Sequence, residues 1–293
     1  MTDLVIRPLG AGEEHLFTEF PGTDRVGRAL LGGPPELRPE WTWVALRAGV
    51  VVARAAWWAG PGQDTPASLD WFDFTDFDAA VALLRTAPWR VEYPLFAPPG
   101  WREDPAVARE VRSHLQVAEA AGMELLVERY RYAWTPESGL PPRPGRLEFR
   151  PEPADARILE VFGQVHRGSL DAHVRRTVDE HGLDAAAQED LDILRSLPSP
   201  RDWWRLAYTH EGALVGLTVP ARNATAPIVA YVGVVPEQRG HGYAYDLLVE
   251  ATHEHAERGA GLIVAATDVT NVPMAAAFAK AGYPIAQHRI DLV

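Results

Sequence analysis

A segment at the middle of the chain places the strongest constraint on the fold. The twelve residues from Trp134 to Gly145 contain four prolines and two glycines. No helix or central strand tolerates that composition, because proline lacks a backbone N–H and glycine leaves the backbone unrestricted. The segment lies close to the midpoint of the 293 residues, so the sequence predicts a domain over 1–134, a linker over 135–146 and a second domain over 147–293.

The beginnings and the ends of the two halves resemble each other. Leu4–Pro8 and Leu147–Pro151 both begin with leucine and end in Arg-Pro. Ala120–Leu125 and Lys280–Ile285 both contain an Ala-Gly pair, and each precedes a short tail with strand-forming residues. A repeat of roughly 140 residues predicts one fold used twice.

The second half alternates strand-like and helix-like patterns. Apolar residues such as Ile158 and Phe162 recur at helical spacing, and short apolar runs bounded by turns mark the strands. On the helix predicted at 245–258, Asp246 is expected on a different face from Leu248. The pattern predicts an α/β fold with a mixed sheet (α+β). The predicted strands are 147–150, 205–209, 213–219, 228–235 and 262–267 with a final strand-like tail, and the predicted helices are 155–178, 184–194, 245–258 and 271–280.

Composition and charge exclude several classes of function. The net charge is −12 and no run of five lysines and arginines interrupts it, so the sequence predicts no nucleic-acid partner. With no cysteine, the chain has no disulfide, thiolate metal ligand or thiol nucleophile. Met1–Leu9 lacks the apolar core of a signal peptide, and no apolar stretch approaches the roughly 18 residues of a membrane span. We therefore expect a cytoplasmic protein without membrane association.

The stretch Val232–Ala244, with the sequence VGVVPEQRGHGYA, predicts a strand, a glycine-rich turn and the start of a helix. A diphosphate requires several backbone N–H groups that converge on it. A turn that enters a helix supplies unpaired donors together with the positive end of the helix dipole. Gly240 and Gly242 allow the backbone a close approach because they have no Cβ. The stretch is therefore a candidate phosphate-binding loop.

Two parts of this stretch resemble the GCN5-related N-acetyltransferase (GNAT) superfamily. The order Arg-x-x-Gly-x-Ala, at Arg239, Gly242 and Ala244, resembles the coenzyme A pyrophosphate loop of that superfamily. The strand Val232–Val234 resembles the strand whose backbone pairs with the pantetheine arm and polarises the thioester carbonyl.

A third feature of the same resemblance is Asn271, which is followed eleven residues later by the pair Gly282-Tyr283. In the superfamily an Asn lies near the pantetheine and a Gly-aromatic pair closes the domain. The resemblance implies two tandem GNAT-like acyl-CoA N-acyltransferase domains, in an arrangement similar to that of mycothiol synthases, with acetyl-CoA (coenzyme A) as co-substrate. It implies the following coenzyme-binding residues: Val232, Gly233, Val234, Arg239, Gly240, His241, Gly242, Tyr243, Ala244 and Asn271.

Two other interpretations of the glycine-rich turn stay open. A dinucleotide-binding turn also follows a strand and opens a helix. Its third glycine, however, would fall at Tyr245, and it gives Arg239 no role. The other interpretation is a glycine turn that binds no ligand.

The reaction that the resemblance implies is direct attack of a neutral amine on the thioester, with strand N–H groups stabilising the charge that develops on oxygen. Asp268, at the end of the strand over 262–267, is the first candidate for the general base, although it is also placed to cap the next helix. His166, on the first helix, is the second candidate. Members of the superfamily often have a Tyr acid seven residues after the Asn. Here that residue is Phe278, which leaves the acid unassigned.

No metal site is predicted. His166 and His173 share a helix face at a spacing of seven, but no third ligand is evident. The run His253–His255 lacks the spacing of a zinc-binding helix. Trp203 and Trp204 are candidates to stack on an acceptor, although core packing is the commoner role of such a pair.

The first half resembles a degenerate copy of the same fold. Its coenzyme strand and loop are expected at 67–76, where no Arg-x-x-Gly motif occurs and Asp70, Asp73 and Asp76 would repel phosphate. This half is therefore expected not to bind coenzyme A. Its tryptophans, which include Trp57, indicate an aromatic core, a hydrophobic face between the domains or an acceptor pocket.

Together these observations predict an N-acetyltransferase that transfers an acetyl or acyl group from acetyl-CoA directly to the amine of a small molecule. One alternative is a non-catalytic acyl-CoA-binding or regulatory module, which Phe278 and the unassigned base would suit. Another is an aminoacyl-tRNA-dependent acyltransferase on the same fold, which the acidic net charge disfavours. The sequence leaves the acceptor amine, the acyl chain preference and the oligomeric state open.

Overall fold

The chain divides into two compact units. The first unit comprises Met1–Glu128 together with Gln287–Val293, and the second comprises Arg129–Ala286. The proline-rich segment over 135–146 lies within the second unit, whereas the end of the chain belongs to the first. The computed structural model describes residues 3–22, 25–27, 38–60 and 63–293.

Twelve strands and eight α-helices occur in the described residues. The strands are β1 (Leu4–Pro8), β2 (Thr42–Arg47), β3 (Val50–Trp58), β4 (Ser68–Phe74), β5 (Tyr93–Ala97), β6 (Leu125–Trp134), β7 (Leu147–Pro151), β8 (Arg205–Thr209), β9 (Leu214–Arg222), β10 (Pro227–Val234), β11 (Ile263–Asp268) and β12 (Ile285–Leu292). The helices are α1 (Glu14–Thr18), α2 (Phe77–Thr86), α3 (Pro105–Ala121), α4 (Asp155–His166), α5 (Ala172–His181), α6 (Leu183–Ser196), α7 (Tyr243–Glu257) and α8 (Val272–Lys280). In this described part of the chain, no helix is both long and apolar enough to cross a bilayer.

In the first unit, four antiparallel strands form a sheet in the order β1-β2-β3-β4. The last residues of β12 pair antiparallel with β5, from His288 opposite Ala97 to Leu292 opposite Tyr93. Helices α2 and α3 complete the core of this unit, which fits the aromatic-core interpretation of the first-half tryptophans. The core side chains include Trp41, Trp57, Phe72, Leu83, Leu95 and Val111.

In the second unit, the strand order is β6-β11-β10-β9-β8-β7. The neighbours β10 and β11 run parallel and the other neighbouring pairs run antiparallel, so the sheet is mixed and the predicted fold class is confirmed. Two clusters of buried apolar side chains pack in this unit. The cluster with α4 and α6 contains Ile158, Phe162, Leu191, Leu206 and Leu217. The cluster with α7 and α8 contains Leu248, Val249, Ile263, Ala277 and Phe278.

The first helical segment of the second unit differs from the prediction. The helical pattern over 155–178 forms two helices, α4 and α5, rather than one. Asp171 starts α5 because its carboxylate accepts hydrogen bonds from the backbone N–H groups of His173 and Val174. The break leaves a short connection over 167–171. This connection contributes to the candidate site.

Candidate active site

The divergence of two strands opens the sheet of the second unit. β10 and β11 are parallel neighbours, but the one position at which their described residues pair is Ile228 with Val264. The register of β10 against β9 is irregular between Val229 and Tyr231. Beyond this point β10 stays paired with β9, while its other edge has no strand partner among the described residues. Backbone N–H and C=O groups at an unpaired strand edge are available to a ligand.

A cavity of about 690 Å³ lies at the end of β10. It is bounded by the connection between α4 and α5, the end of β10, the loop before α7, and α8. The tenth predicted coenzyme-binding residue, His241, is not in its lining, and the His241 ring stacks on Tyr243 with centroids 5.6 Å apart. The nine others line the cavity: Val232, Gly233, Val234, Arg239, Gly240, Gly242, Tyr243, Ala244 and Asn271.

The N-terminus of α7 has no side-chain cap. Gly242 is its N-cap residue, with a φ of +75° in the left-handed region, and no side chain accepts a hydrogen bond from the first turn. The first N–H groups of a helix have no acceptor within the helix, so those of Tyr243 and Ala244 are free at the positive end of its dipole. In α5, by contrast, the Asp171 carboxylate accepts hydrogen bonds from two N–H groups of the first turn. The donor set of α7 fits a diphosphate.

Arg239 fixes the position of the loop. Its side-chain N–H groups donate to the carbonyl oxygens of Val165 at 2.7 Å, Arg167 at 2.9 Å, and Gly168 and Val234 at 3.2 Å. These hydrogen bonds connect the glycine-rich loop to the connection between α4 and α5. Arg239 therefore lines the cavity, but the backbone already engages its donors.

A second arginine, which the sequence analysis placed in the linker, also holds the loop. Arg146 donates to the carbonyl oxygen of His241 at 3.1 Å, and its Nε donates to Oδ1 of Asp246 at 3.0 Å. Asp246, which the sequence analysis placed on a different helix face from Leu248, is 2% exposed, and this ion pair engages its carboxylate. Arg146 and Asp246 are 100 residues apart in the sequence, so no local pattern could predict their contact.

Gly233 has no room for a side chain. A Cβ at this position would lie 2.7 Å from Cε1 of Tyr231 and 2.7 Å from Cγ1 of Val165. Both distances are well inside van der Waals contact. Packing therefore requires glycine at the residue where the resemblance expects the strand backbone to approach the pantetheine.

A smaller cavity of about 140 Å³ adjoins the first and lies between the diverging parts of β10 and β11. Its lining includes Arg129 and Asp171, whose guanidinium and carboxylate are 3.1 Å apart. Sequence reasoning missed both residues as well as Ser169, although Ser-x-Asp before a helix is a recognisable capping signal. The two cavities share five lining residues, of which one bears a hydroxyl: Val165, Ser169, Val232, Asn271 and Met274.

The nine-residue helix α8 and its N-cap residue lie against the two cavities. Asn271 is the N-cap of α8, and its side-chain oxygen accepts a hydrogen bond from the Met274 N–H at 3.3 Å. Phe278 lines the small cavity, and its ring stacks on Tyr132 with centroids 4.2 Å apart. Burial raises the pKa of Tyr132. Phe278 thus presents a packed ring without a transferable proton at the position where the superfamily often has tyrosine.

Asp268, the first predicted base, lines neither cavity. Its side chain is buried, and Oδ2 accepts a hydrogen bond from the Ala172 N–H at 2.7 Å. Oδ1 lies 3.1 Å from Nε of Arg129. Burial and the negative charge of Asp171 raise the pKa of Asp268. These contacts hold the start of α5 and the guanidinium that lines the small cavity.

His166, the second predicted catalytic residue, is also buried and outside both cavity linings. Its Nε2 lies 2.8 Å from Oδ2 of Asp190, and its ring stacks on Phe162. The two predicted acceptor-stacking residues are outside the linings as well. Trp204 is buried in the core, and Trp203 packs under the Arg258 guanidinium.

In the first unit, the helix that follows the corresponding strand has a side-chain cap, unlike α7. After β4, Asp76 is the N-cap of α2, and its carboxylate accepts a hydrogen bond from the Ala79 N–H at 2.9 Å. The same carboxylate pairs with Arg47, and this hydrogen bond lowers the pKa of Asp76. A carboxylate therefore occupies the helix N-terminus that a phosphate would require.

Comparison with sequence profiles of known families gives a match over part of the chain. Residues 175–283, which lie within the second unit and include the end of β10, the loop before α7, and α8, match the sequence profile of the acetyltransferase (GNAT) family. No curated protein sequence matches the chain.

Comparison with solved structures gives the same fold over almost the whole chain. A GCN5-related N-acetyltransferase from Sphaerobacter thermophilus is 15% identical, with 99% of this chain and 94% of that chain covered and a TM-score of 0.55. A tandem GNAT protein from the clavulanic acid biosynthesis pathway is 18% identical, with 99% and 98% covered and a TM-score of 0.51. A GNAT-family acetyltransferase from Colwellia psychrerythraea is 15% identical, with 98% of each chain covered and a TM-score of 0.51. At these identities the likeness shows the fold, which is the fold predicted from the sequence.

Proposed function

This chain has the GNAT fold, and its residues 175–283 match the GNAT family. From this premise we propose that it transfers an acyl group from acetyl-CoA to the amine of a small molecule. The observation that supports this proposal is the large cavity, which combines the uncapped N-terminus of α7 with the unpaired edge of β10. When bound, acetyl-CoA would supply a thioester-activated acetyl group.

The residues of the large cavity fit the two polar parts of coenzyme A. The backbone N–H groups of the loop and first turn over 240–244 would hold the diphosphate, with Arg239 and Arg146 keeping the loop in place. The backbone of Val232–Val234 would pair with the amides of the pantetheine arm. The first unit would not bind the coenzyme, because Asp76 already satisfies the start of α2. We therefore propose one coenzyme site per chain.

The small cavity would take the acceptor. Its volume of about 140 Å³ admits a small amine or the amine end of a longer molecule. Asp171 and Arg129 line it as an ion pair, so the cavity offers carboxylate oxygens that can accept a hydrogen bond from an amine without carrying a net negative charge. The acidic net charge of the chain favours the same class of acceptor and disfavours nucleic acid as a partner.

Ser169 is the hydroxyl residue at the junction of the two cavities, and we propose that it donates a hydrogen bond there during transfer. Asp268 and His166 stay predicted catalytic residues. Their contacts suit positioning roles, in which Asp268 orients Arg129 and His166 orients Asp190.

Calorimetric titration with acetyl-CoA tests coenzyme binding. The intact chain is expected to bind one acetyl-CoA. Ala244→Glu places a carboxylate in the first turn of α7, where it leaves the helix dipole satisfied but repels phosphate, and is expected to abolish binding. The matched control is Ala185→Glu, because Ala185 is an exposed residue in the first turn of α6. Equal affinity of the two variants would place the diphosphate elsewhere, and a stoichiometry of two would show that the first unit also binds.

Turnover separates the enzyme from a non-catalytic acyl-CoA-binding module, which is the second candidate because Phe278 provides no acid. Free coenzyme A released with a panel of small amines can be measured with a thiol reagent, since the chain contributes no cysteine to the signal. Release with at least one amine, reduced about tenfold by Ser169→Ala at unchanged acetyl-CoA affinity, is expected for the enzyme. The control is Ser196→Ala, a change at an exposed residue of α6. Tight binding without release at any pH would favour the binding module.

A further inference from the structure

The chain contains one lysine among its 28 lysine and arginine residues, and that lysine lines the large cavity. Lys280 is the last residue of α8. Its Nζ lies 3.9 Å from the centroid of the Tyr245 ring, and the side chain is exposed. The compact, three-donor ammonium group that lysine provides therefore occurs at a single place in the molecule.

Lys280 supplies the uncommitted positive charge of this cavity. Two charged residues occur among the described residues that line it, Arg239 and Lys280, and none is acidic. The guanidinium of Arg239 donates to four backbone carbonyls. Within the described chain, Lys280 forms no ion pair and its one recorded contact is with the Tyr245 ring.

The ammonium group is located at the phosphate end of the cavity. Tyr245 is the third residue of α7, so Lys280 lies beside the first turn whose N–H groups have no side-chain cap. Asn271, at the other end of α8, is nine residues away, or about 14 Å along a helix. Asn271 lines both cavities, whereas Lys280 lines the large cavity alone. Lys280 is therefore distant from the junction at which transfer is proposed.

We propose that Lys280 binds a phosphate group of the nucleotide part of acyl-CoA and makes the cavity selective for the full nucleotide over shorter acyl carriers. This inference rests on the proposed function. The ammonium group offers three N–H donors, and a phosphate provides charged acceptor oxygens. The phosphate is either the diphosphate, which the first turn of α7 also reaches, or the 3′-phosphate of the ribose.

Affinities of three acyl carriers test the proposal and distinguish the two phosphates. Acetyl-CoA, acetyl-dephospho-CoA and acetyl-pantetheine are titrated into the intact chain and into Lys280→Gln. The variant is expected to lose about fivefold to tenfold in affinity for acetyl-CoA, because a partly exposed charge-assisted hydrogen bond is removed. Loss confined to acetyl-CoA identifies the 3′-phosphate. Equal loss for acetyl-dephospho-CoA identifies the diphosphate.

Two further variants control for charge. Lys280→Arg keeps the charge and is expected to bind acetyl-CoA within about twofold of the unchanged chain. Arg109→Gln removes one positive charge from an exposed residue of α3 in the first unit and is expected to have no effect. Unchanged acetyl-CoA affinity of Lys280→Gln, or a loss equal to that of Arg109→Gln, would overturn the proposal. Failure of the unchanged chain to bind acetyl-CoA at all would instead overturn the proposed function on which it rests.

Chemical protection gives a readout that is independent of affinity. An amine-acylating succinimidyl ester can modify one lysine side chain in this protein, so peptide mass spectrometry assigns the product without ambiguity. Saturating acetyl-CoA is expected to slow modification of Lys280 several-fold relative to the N-terminal amine of the same chain. An unchanged rate at Lys280 under conditions where calorimetry shows binding would contradict the proposed contact.

Discussion

At the scale of single residues, the partner of a side chain decides its role. Asp268 and His166 have the chemistry of a general base, but their polar atoms contact Ala172, Arg129 and Asp190 inside the second unit. Ser169, which no motif singled out, lines the junction of both cavities. Residue type therefore suggested candidates, and the contacts separated those that line the cavities from those whose polar atoms contact other groups inside the unit.

Asp268→Asn tests this distinction. The amide can still accept the hydrogen bond from Ala172, but the half-buried Arg129 loses one of its two carboxylate partners, the buried Asp268. We expect the free energy of unfolding to fall by about 2 kcal/mol, as removal of one partner of a buried ion pair is costly. Urea denaturation measures the change, and Asp179→Asn, at an exposed residue of α5, is the control. A large loss of kcat with unchanged stability would instead support Asp268 as the base.

A buried histidine in the first unit predicts a pH dependence of stability. Nδ1 of His114 lies 2.8 Å from the Tyr93 hydroxyl, and burial lowers the pKa of His114 from 6.5 to about 4. Below pH 6.5 the unfolded chain takes up a proton that the folded unit does not. The stability contribution is therefore present above pH 6.5 and is lost as the pH falls toward 4, at up to about 1.4 kcal/mol per pH unit.

His114→Gln is expected to flatten this slope, because the variant cannot titrate at that position. Urea denaturation at several values between pH 7 and pH 4.5, followed by tryptophan fluorescence, gives the slope for each protein. His15→Gln, a change at an exposed histidine, should keep the slope of the unchanged chain. Parallel slopes for all three proteins would show that His114 does not contribute.

At the scale of elements, the cap of a helix distinguishes the two units. α2 and α7 each follow a strand and a short turn, but Asp76 caps α2 with a carboxylate while Gly242 leaves α7 without a side-chain cap. Strand β10 provides the second component, because it separates from β11 after Ile228. The sequence predicted the glycine-rich turn and the aspartate-rich one, since both signals are local. The divergence of β10 and β11 depends on pairing between distant segments and had no local signal.

Gly233→Ala tests the packing of β10. Its Cβ would contact Tyr231 and Val165 at 2.7 Å, so both side chains must move, and we expect a loss of about 1 to 3 kcal/mol in the free energy of unfolding. Acetyl-CoA affinity should fall as well, because Val165 and the strand backbone line the large cavity. Gly261→Ala is the matched control, since a Cβ at Gly261 would meet nothing within 4 Å. Equal stability of the two variants would show that the strand accommodates a side chain.

At the scale of the whole molecule, the boundaries between the two compact units fall after Glu128 and after Ala286. The proposed domains 1–134 and 147–293 therefore differ from the compact units at both ends. The final residues of β12 pair with β5 in the first unit, although they follow the whole second unit in the sequence. The proline-rich segment predicted that the chain has two parts, but it contains no information about which distant strand the last residues join.

Deletion of residues 287–293 tests this arrangement. β5 would lose its antiparallel partner, so its amide hydrogens should exchange with solvent faster than in the full chain. Hydrogen exchange of peptides that cover 93–97 measures the effect. Peptides that cover β8 and β9 are the internal control, because both strands belong to the second unit and should keep their protection. Unchanged protection of β5 would contradict the assignment of 287–293 to the first unit.

By itself the sequence determined the fold class, the glycine-rich loop and most of the element positions, because periodicity, turn residues and helix caps are local properties of the chain. It also predicted a phosphate-binding loop in the second half and none in the first. Only the tertiary structure decided that Arg146 and Arg239 hold this loop, that Asp268 is buried, and that Lys280 lies beside α7. Each of these facts depends on groups that are far apart in the chain, and contacts between such groups form only when the strands and helices pack.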